Sequence, residues 1–176
     1  LRSLETIKLV APHLDAATEA AYMETQESGD TTGTQVMPGA AALLALLPRE
    51  RWNIATSGSW AIASARLNHV GLPIPAQMVT AEQVIAGKPD PEPYLLACRM
   101  LGVDPGDCVA VEDSPTGVRS AAAAGVPTVG VPHVVPVPAL PGVVLVDTLA
   151  GMTAARLTEL ARLAAADRRP EQVASL

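Results

Sequence analysis

The chain has 176 residues, which is enough for one domain, or for one domain with a small accessory piece. Hydrophobic residues make up 49% of the chain and charged residues 17%, so a sizeable core can form. The net charge of -6 argues against a general nucleic-acid binder. Residues 125–146 contain no Asp, Glu, Lys or Arg, but five prolines interrupt them, which argues against a membrane-spanning helix.

Scarce residue types are informative in this chain. The two cysteines, Cys98 and Cys108, have apolar neighbours and no metal-like spacing, and we interpret them as buried free thiols in a reducing cytoplasm. Lys8 and Lys88 are the only lysines, so each is worth considering for a role. The sequence starts at Leu1, directly in a helix-like pattern, and we interpret this as a sign that a segment precedes it.

Helical and extended patterns alternate along the chain. Apolar residues at helical spacing predict helices over residues 1–27, which Pro12 divides in two. Polar residues 28–38 predict a linker with a domain boundary, so that residues 1–34 form one unit and residues 35–176 the other. In the second unit the pattern predicts helices over 38–48, 60–70, 91–101, 118–124 and 153–166, and strands over 52–56, 77–79, 108–111, 128–131 and 143–146. This alternation predicts a parallel sheet with helices on both faces.

Two adjacent carboxylates, Glu112 and Asp113, follow the apolar strand that begins at Cys108. The carboxyl ends of strands are where open α/β sheets bind ligands. Two carboxylates crowded there repel each other unless a cation lies between them, and Mg²⁺ is the simplest candidate. Acidic residues are also common at helix N-termini because of the helix dipole, so this segment alone leaves both interpretations open.

Two further loops carry chemistry that suits phosphate. Thr56-Ser57-Gly58-Ser59 follows a predicted strand, and its hydroxyls and backbone N–H groups could cradle a phosphate, although alone they favour helix capping. Lys88 lies in a loop stiffened by Pro89, Pro91 and Pro93, which suits a fixed cation facing phosphate oxygens. The alternative for Lys88 is a solvated surface lysine.

In this order the hydroxyl loop, the lysine loop and the acidic pair resemble the second, third and fourth motifs of the haloacid dehalogenase superfamily of phosphohydrolases. The residue identities at 54–58, 87–89 and 111–114 resemble those of the branch that contains phosphoglycolate phosphatases, β-phosphoglucomutases and small sugar phosphatases. Within that branch, residues 48–56 followed by residues 88–95 look most like glycerol-phosphate and sugar-phosphate phosphatases. The resemblance covers nearly the whole chain. It implies a Rossmann-like α/β core and part of a helical cap domain in residues 1–34.

The resemblance implies a role for each residue in the two phosphate loops. Ser57, with Thr56 and Gly58 beside it, would hold the transferring phosphoryl group. Lys88 would neutralise that phosphate and the nucleophile. Arg2 lies where such caps often place a substrate-facing basic residue.

A metal site is implied in the same way. Asp113 would ligate Mg²⁺ directly, and Glu112 would do so directly or through water. The partner would be a small phosphorylated metabolite, with no nucleic acid and no membrane, and a monomer is favoured. A dehalogenase fits less well, because that chemistry uses no metal.

The sequence departs from the family at the first motif, Asp-x-Asp-x-Thr, whose first Asp attacks phosphorus. The nearest imitation begins at Asp30, but Thr32 stands where the second Asp is needed and the polar residues 24–29 cannot form a buried strand. We therefore expect that the chain begins inside the cap domain, with the first core strand and the nucleophile upstream. In the family that strand lies between those bearing Ser57 and Asp113, so we expect the chain alone to be destabilised and inactive.

These observations lead to one main hypothesis and two alternatives. The main hypothesis is a Mg²⁺-dependent phosphatase of sugar or glycerol phosphates that works through an aspartyl-phosphate intermediate. One alternative is a phosphosugar mutase of the same fold. The other is a truncated, catalytically inactive chain that binds phosphometabolites.

Overall fold

Helices and strands alternate in the computed structural model, which describes residues 3–168. Within that range no helix combines the length and the apolar composition that a bilayer crossing requires. The elements in chain order are α1 (Ser3–Val10), α2 (Ala16–Gly29), α3 (Ala40–Leu46), α4 (Trp60–His69), α5 (Glu92–Leu101), β1 (Ala110–Glu112), α6 (Pro115–Ala123), β2 (Thr128–Gly130), β3 (Val143–Leu145) and α7 (Ala154–Asp167). Short 3₁₀ turns lie at Arg49–Arg51, Ala81–Gln83 and Pro105–Asp107.

The three strands form one parallel sheet in the order β1-β2-β3. Ala110 pairs with Thr128 and Thr128 pairs with Val143, so the strands lie in register along their short length. The parallel sheet that the sequence predicts is confirmed. The strands are shorter than predicted, because only three residues of each make ladder pairs.

The predicted strands at 52–56 and 77–79 reduce to a single parallel bridge between Ala55 and Val79. Thr56 N donates to Val79 O at 2.8 Å, and Val79 N donates to Ile54 O at 2.7 Å. This bridge is separate from the three-stranded sheet in the described part of the chain. The edge of β1 that faces away from β2 therefore has no strand paired to it within residues 3–168.

Two apolar clusters cover the two faces of the sheet. Successive side chains of a strand point to opposite faces, so Val129 and Ala110 pack on different sides. Val129 packs with residues of α3 and α7, including Leu43, Leu157 and Leu160. The cluster on the Ala110 side draws on Tyr94 and Cys98 of α5 and on Ala121 of α6, with Ala124 at the C-cap of α6. The prediction of helices on both faces is therefore confirmed.

The N-terminal helices follow from local signals. Pro12 lies between α1 and α2, and the Asp15 carboxylate begins α2 by accepting from Ala17 N at 3.0 Å and Thr18 N at 3.3 Å. Asp30 follows α2, and its carboxylate accepts from Thr32 N at 2.8 Å in an exposed turn. Residues 24–29 are thus helical, and Asp30 does not end a buried strand.

Candidate functional site

A buried ion pair between Lys88 and Glu112 is the centre of the candidate site. The ammonium of Lys88 donates to Oε1 of Glu112. Lys88 is 7% exposed and Glu112 is 6% exposed, so both charges are withdrawn from water. Neither ion could be buried alone without a cost of several kcal/mol, so each requires the other. The pair joins the proline-rich loop to the carboxyl end of β1.

The carboxylate of Glu112 has a partner in each of its roughly four acceptor positions. Oε1 accepts from Lys88 and from the hydroxyl of Tyr94, the latter at 2.6 Å. Oε2 accepts from the backbone N of Ser114 at 3.3 Å and from the Ser114 hydroxyl at 3.0 Å. These bonds fix the carboxylate and favour an anchor for Lys88 over a direct metal ligand.

Charge and burial oppose each other at Glu112. Burial would raise the pKa of Glu112, but the charge of Lys88 and the hydrogen bonds from Lys88, Tyr94 and Ser114 hold it below its usual range. Burial and then the charge of Glu112 raise the pKa of Tyr94 well above its ordinary value. Tyr94 therefore remains a neutral donor, while Glu112 remains a charged acceptor. The ring of Tyr94 also lies 5.1 Å from the Lys88 ammonium, within range of a cation–π contact.

Hydrogen bonds from two helices hold the lysine loop. The Glu92 carboxylate, at the start of α5, accepts from Ile85 N at 3.0 Å and from Ala86 N at 2.7 Å. The fully buried Ser120 of α6 donates its hydroxyl proton to the carbonyl of Asp90. The loop is therefore held by hydrogen bonds on both sides of Lys88.

The start of α6 presses closely against Glu112. Ser114 is the N-cap of α6, and its hydroxyl accepts from Gly117 N at 3.0 Å. This first turn brings Gly117 so near to Glu112 that an added β-carbon would overlap the carboxylate. A larger residue at this point would therefore require the Glu112 carboxylate to move away from its hydrogen-bond partners.

The hydroxyl loop begins where the Ala55–Val79 bridge ends. Thr56 Oγ1 accepts from Gly58 N at 3.1 Å, and Ser59 caps α4 by accepting from Ile62 N at 3.3 Å. The sequence favours a helix-capping role for the segment 56–59 without saying which residue is the cap. The structure assigns that role to Ser59. The hydroxyl of Ser57 has no hydrogen-bond partner among residues 3–168, so it is available to a ligand.

A cleft of about 440 Å³ separates the hydroxyl loop from the N-terminal helices. Ser57 and Gly58 line one wall, and Glu24 and Glu27 of α2 line the other. Arg66 of α4 spans the edge of this cleft and pairs with Glu27 at 3.1 Å. The cleft has room for a small polar ligand beside Ser57.

Asp113 is exposed directly after β1 and makes no hydrogen bond or ion pair to another residue in the described range. Its carboxylate is therefore the free oxygen donor at this edge, and oxygen donors suit Mg²⁺. No group of three or more His, Cys, Asp or Glu side chains that could hold a metal occurs within residues 3–168. The described residues thus fit part of a Mg²⁺ site, with Asp113 as its available ligand.

The structure brings some of the predicted site residues together. Lys88 and Glu112 are in direct contact, and Asp113 follows Glu112. Thr56, Ser57 and Gly58 lie on the separate bridged segment, which shares an apolar cluster with β1 through Ala55. Arg2 lies outside the described residues.

Sequence reasoning missed the roles of Tyr94, Ser114 and Gly117 at the site. Tyr94 follows Lys88 by six positions at the start of a helix, where an aromatic residue indicates core packing. Ser114 and Gly117 are typical of a helix start and gave no separate signal for contact with Glu112.

Comparison with known proteins identifies the family of the chain. A family model for haloacid dehalogenase-like hydrolases matches residues 3–125. Hexitol phosphatase A of Escherichia coli (strain K12) is 48% identical over 113 residues, covering 63% of this chain and 52% of that protein. Glycerol-1-phosphate phosphohydrolase 2 of Saccharomyces cerevisiae is 39% identical over 105 residues, covering 54% of this chain and 42% of that protein.

A solved structure, CbbY from Rhodobacter sphaeroides in complex with phosphate, has a TM-score of 0.74 and 28% identity. That likeness covers 82% of this chain and 69% of the CbbY chain. The chain belongs to the haloacid dehalogenase-like hydrolase family, as the three motifs predicted. It spans about half the length of the curated relatives it matches.

Proposed function

We propose that the whole protein is a Mg²⁺-dependent phosphatase of small phosphorylated metabolites, with a sugar, polyol or glycerol phosphate as substrate. The observation that carries the proposal is the buried Lys88–Glu112 pair beside the free carboxylate of Asp113. A fixed cation next to a metal-binding carboxylate suits the charge that develops in phosphoryl transfer. The names of the relatives, a hexitol phosphatase and a glycerol-1-phosphate phosphohydrolase, support the substrate class.

Lys88 is the proposed partner of the transferring phosphoryl group. An ammonium group has three N–H donors, and Glu112 takes one of them. The other donors of Lys88 are left for phosphoryl oxygens. Because Glu112 and the Tyr94 ring hold the side chain, little freedom is lost when phosphate binds.

The hydroxyl loop would bind the same phosphoryl group from the cleft. Ser57 is the proposed hydroxyl donor, and the backbone of Gly58 approaches without a side chain. Thr56 keeps the loop closed through its bond with Gly58 N. Substrate groups beyond the phosphate would extend toward α2, whose Glu24 and Glu27 could accept hydrogen bonds from substrate hydroxyls.

Asp113 is the residue that would hold Mg²⁺, with Glu112 in reach only through water. When bound, the ion would neutralise charge on the phosphoryl oxygens. The described chain supplies the residues that orient phosphate and the first carboxylate of the metal site.

The nucleophile is proposed to be an Asp on a strand that lies beside the open edge of β1, between β1 and the Ala55–Val79 bridge. This edge is unpaired within the described residues, and its backbone groups can accept another strand. The nucleophile would take the phosphoryl group and then release it to water. On this proposal residues 1–34 belong to the cap and residues 35–176 to the core, and the 176-residue chain is inactive by itself.

The proposal is tested with the protein translated from the whole coding frame. Release of inorganic phosphate is measured on a panel of hexitol, sugar and glycerol phosphates, with Mg²⁺ and with a chelator. Asp113→Asn is compared with Asp107→Asn, the same exchange at an exposed position before the same strand. We expect chelation and Asp113→Asn to abolish release and Asp107→Asn to leave it unchanged. Full activity in the chelator, or in Asp113→Asn, would overturn the metal assignment.

The same panel separates the alternatives. A product that keeps its phosphate at a new position indicates a phosphosugar mutase. Substrate that binds, as measured by calorimetry, without any product indicates a phosphometabolite-binding protein.

A further inference from the structure

The side chains of the two cysteines of the chain lie next to each other, although ten positions separate them in sequence. The Sγ atoms of Cys98 and Cys108 lie 3.5 Å apart. Both are free thiols. A disulfide has an S–S distance of about 2.05 Å, so the sulfur atoms need to approach by only about 1.5 Å.

The backbone already holds both residues in place. Cys98 lies in α5, and its carbonyl accepts from Val103 N at 3.2 Å where the helix ends. Cys108 leads into β1, and its N–H donates to Pro105 O at 3.2 Å. Rotation of the two side chains is the motion that would bring the sulfur atoms closer.

The two thiols differ in exposure. Cys98 is 4% exposed and belongs to the apolar cluster on the α5–α6 side. Cys108 is partly exposed and packs against the edge of that cluster. A small molecule in solution can thus reach Cys108 but not Cys98. Exposure therefore makes Cys108 the attacking thiol and Cys98 the resolving thiol.

We propose that Cys98 and Cys108 form a thiol–disulfide exchange site that takes a small-molecule disulfide as oxidant. The Cys108 thiolate attacks one sulfur of the oxidant, forming a mixed disulfide and releasing the first small thiol. The Cys98 thiolate then attacks the Cys108 sulfur and releases the second small thiol. The protein loses two protons and two electrons, and the oxidant takes up both as it becomes two small thiols.

The product would cross-link two elements that carry the candidate site. Helix α5 carries Tyr94, and β1 carries Glu112, whose side chains are already hydrogen-bonded. A covalent link between α5 and the start of β1 stabilises that arrangement against local opening. The proposal rests on the cysteine geometry alone and holds whatever reaction the protein catalyses.

Burial sets the speed of this exchange. It raises the pKa of Cys98 to about 12 and also raises the pKa of Cys108 above its ordinary value. Only the thiolate attacks, so exchange is slow at neutral pH and accelerates as the pH rises.

The test uses the reduced 176-residue chain and oxidised glutathione. Free thiols are titrated after denaturation, and the intact mass is measured after alkylation. We expect the wild-type chain to lose both free thiols and two hydrogen atoms without retaining glutathione. The thermal unfolding temperature of this product should be higher than that of the reduced chain. Two free thiols, glutathione adducts alone, or only dimers linked between chains would each overturn the proposal.

Two variants separate the roles of the thiols. Cys98→Ala should stop at a single glutathione adduct on Cys108, and Cys108→Ala should keep Cys98 free. Adduct formation on Cys98 in the second variant would reverse the assigned roles and refute the mechanism. The reaction is repeated in guanidinium, where the ratio of closed disulfide to adduct should fall by roughly tenfold as the effective concentration of the second thiol drops. An unchanged ratio of disulfide to adduct would refute the proposal, because it would show that the folded structure does not bring the two thiols together.

Discussion

The carboxylate of Glu112 occupies the space in which a β-carbon at Gly117 would lie. Gly117 belongs to the first turn of α6, and its N–H is fixed to the hydroxyl of Ser114 at 3.0 Å. Ser114 in turn donates its hydroxyl proton to Glu112. The first turn of α6 therefore packs directly against the Glu112 carboxylate at the end of β1.

We expect Gly117→Ala to destabilise the protein. In an ordinary helix position this exchange would stabilise by about 0.5–1 kcal/mol. Here the added methyl group displaces the Glu112 carboxylate, and such overpacking costs about 1–3 kcal/mol. The free energy of unfolding, measured by urea titration, should fall, and the buried Lys88–Glu112 pair should be disturbed.

Gly106→Ala is the matched control for this exchange. A β-carbon at Gly106 would meet nothing within 4 Å. Its effect should stay within about 0.5 kcal/mol. If the two substitutions change the free energy of unfolding equally, the Glu112 carboxylate does not exclude a β-carbon at residue 117.

Tyr94→Phe tests the second donor to Glu112. The variant keeps the ring beside the Lys88 ammonium but removes the 2.6 Å hydrogen bond to Oε1. Hydrogen bonds to charged groups contribute about 1.5–3 kcal/mol, so the free energy of unfolding should fall by that amount. Tyr22→Phe, on the exposed surface of α2, is the control and should be neutral. A neutral Tyr94→Phe would mean that the hydroxyl adds nothing to the anchor.

Lys88→Met leaves the buried carboxylate of Glu112 without its counter-ion. Removal of one partner of a buried pair costs about 3–5 kcal/mol. The double variant with Glu112→Gln should lose less than the sum of the two single variants, because it leaves no buried charge. Lys8→Met, at the exposed second lysine, serves as control. Additive losses from Lys88→Met and Glu112→Gln would contradict the coupling.

Much of the fold follows from local sequence signals. Pro12 and the hydroxyl segment that contains Ser59 mark helix ends in the sequence, and the observed helices α1 and α4 begin or end close to the predicted positions. Strand lengths could not be predicted from local sequence, because a residue belongs to a strand only where its backbone pairs with a neighbouring strand. The strand predicted at 52–56 makes only one bridge, since the described residues offer it one neighbour, Val79.

The candidate site was only partly predictable for a related reason. The motifs singled out Lys88 and Glu112, but they assigned one to phosphate and the other to metal. Their direct contact joins positions 24 residues apart and depends on the packing of the lysine loop against β1. The sequence likewise predicts that Cys98 and Cys108 are buried free thiols, and only the tertiary structure places their sulfur atoms together.

The pH dependence of stability should reveal the state of Glu112. Burial raises its pKa, but the charge of Lys88 and the hydrogen bonds to the carboxylate outweigh burial, so the pKa is lower in the folded protein than in the unfolded chain. The resulting stabilisation is present above the unfolded pKa of about 4.3 and is lost as the pH falls through the folded pKa.

In metal-free buffer the free energy of unfolding of the wild type should therefore decrease on acidification below about pH 5, more steeply than that of Glu112→Gln. Other carboxyl groups titrate in both proteins and cancel in the comparison. Glu159→Gln removes an exposed carboxylate that pairs with Arg156 on α7, so it controls for the loss of any single acid and should keep the wild-type slope. Urea titrations at several pH values supply the slopes. A slope for Glu112→Gln equal to that of the wild type would mean that Glu112 binds its proton equally well in the folded and unfolded chain, and the buried ion pair would then lack the charge that its geometry implies.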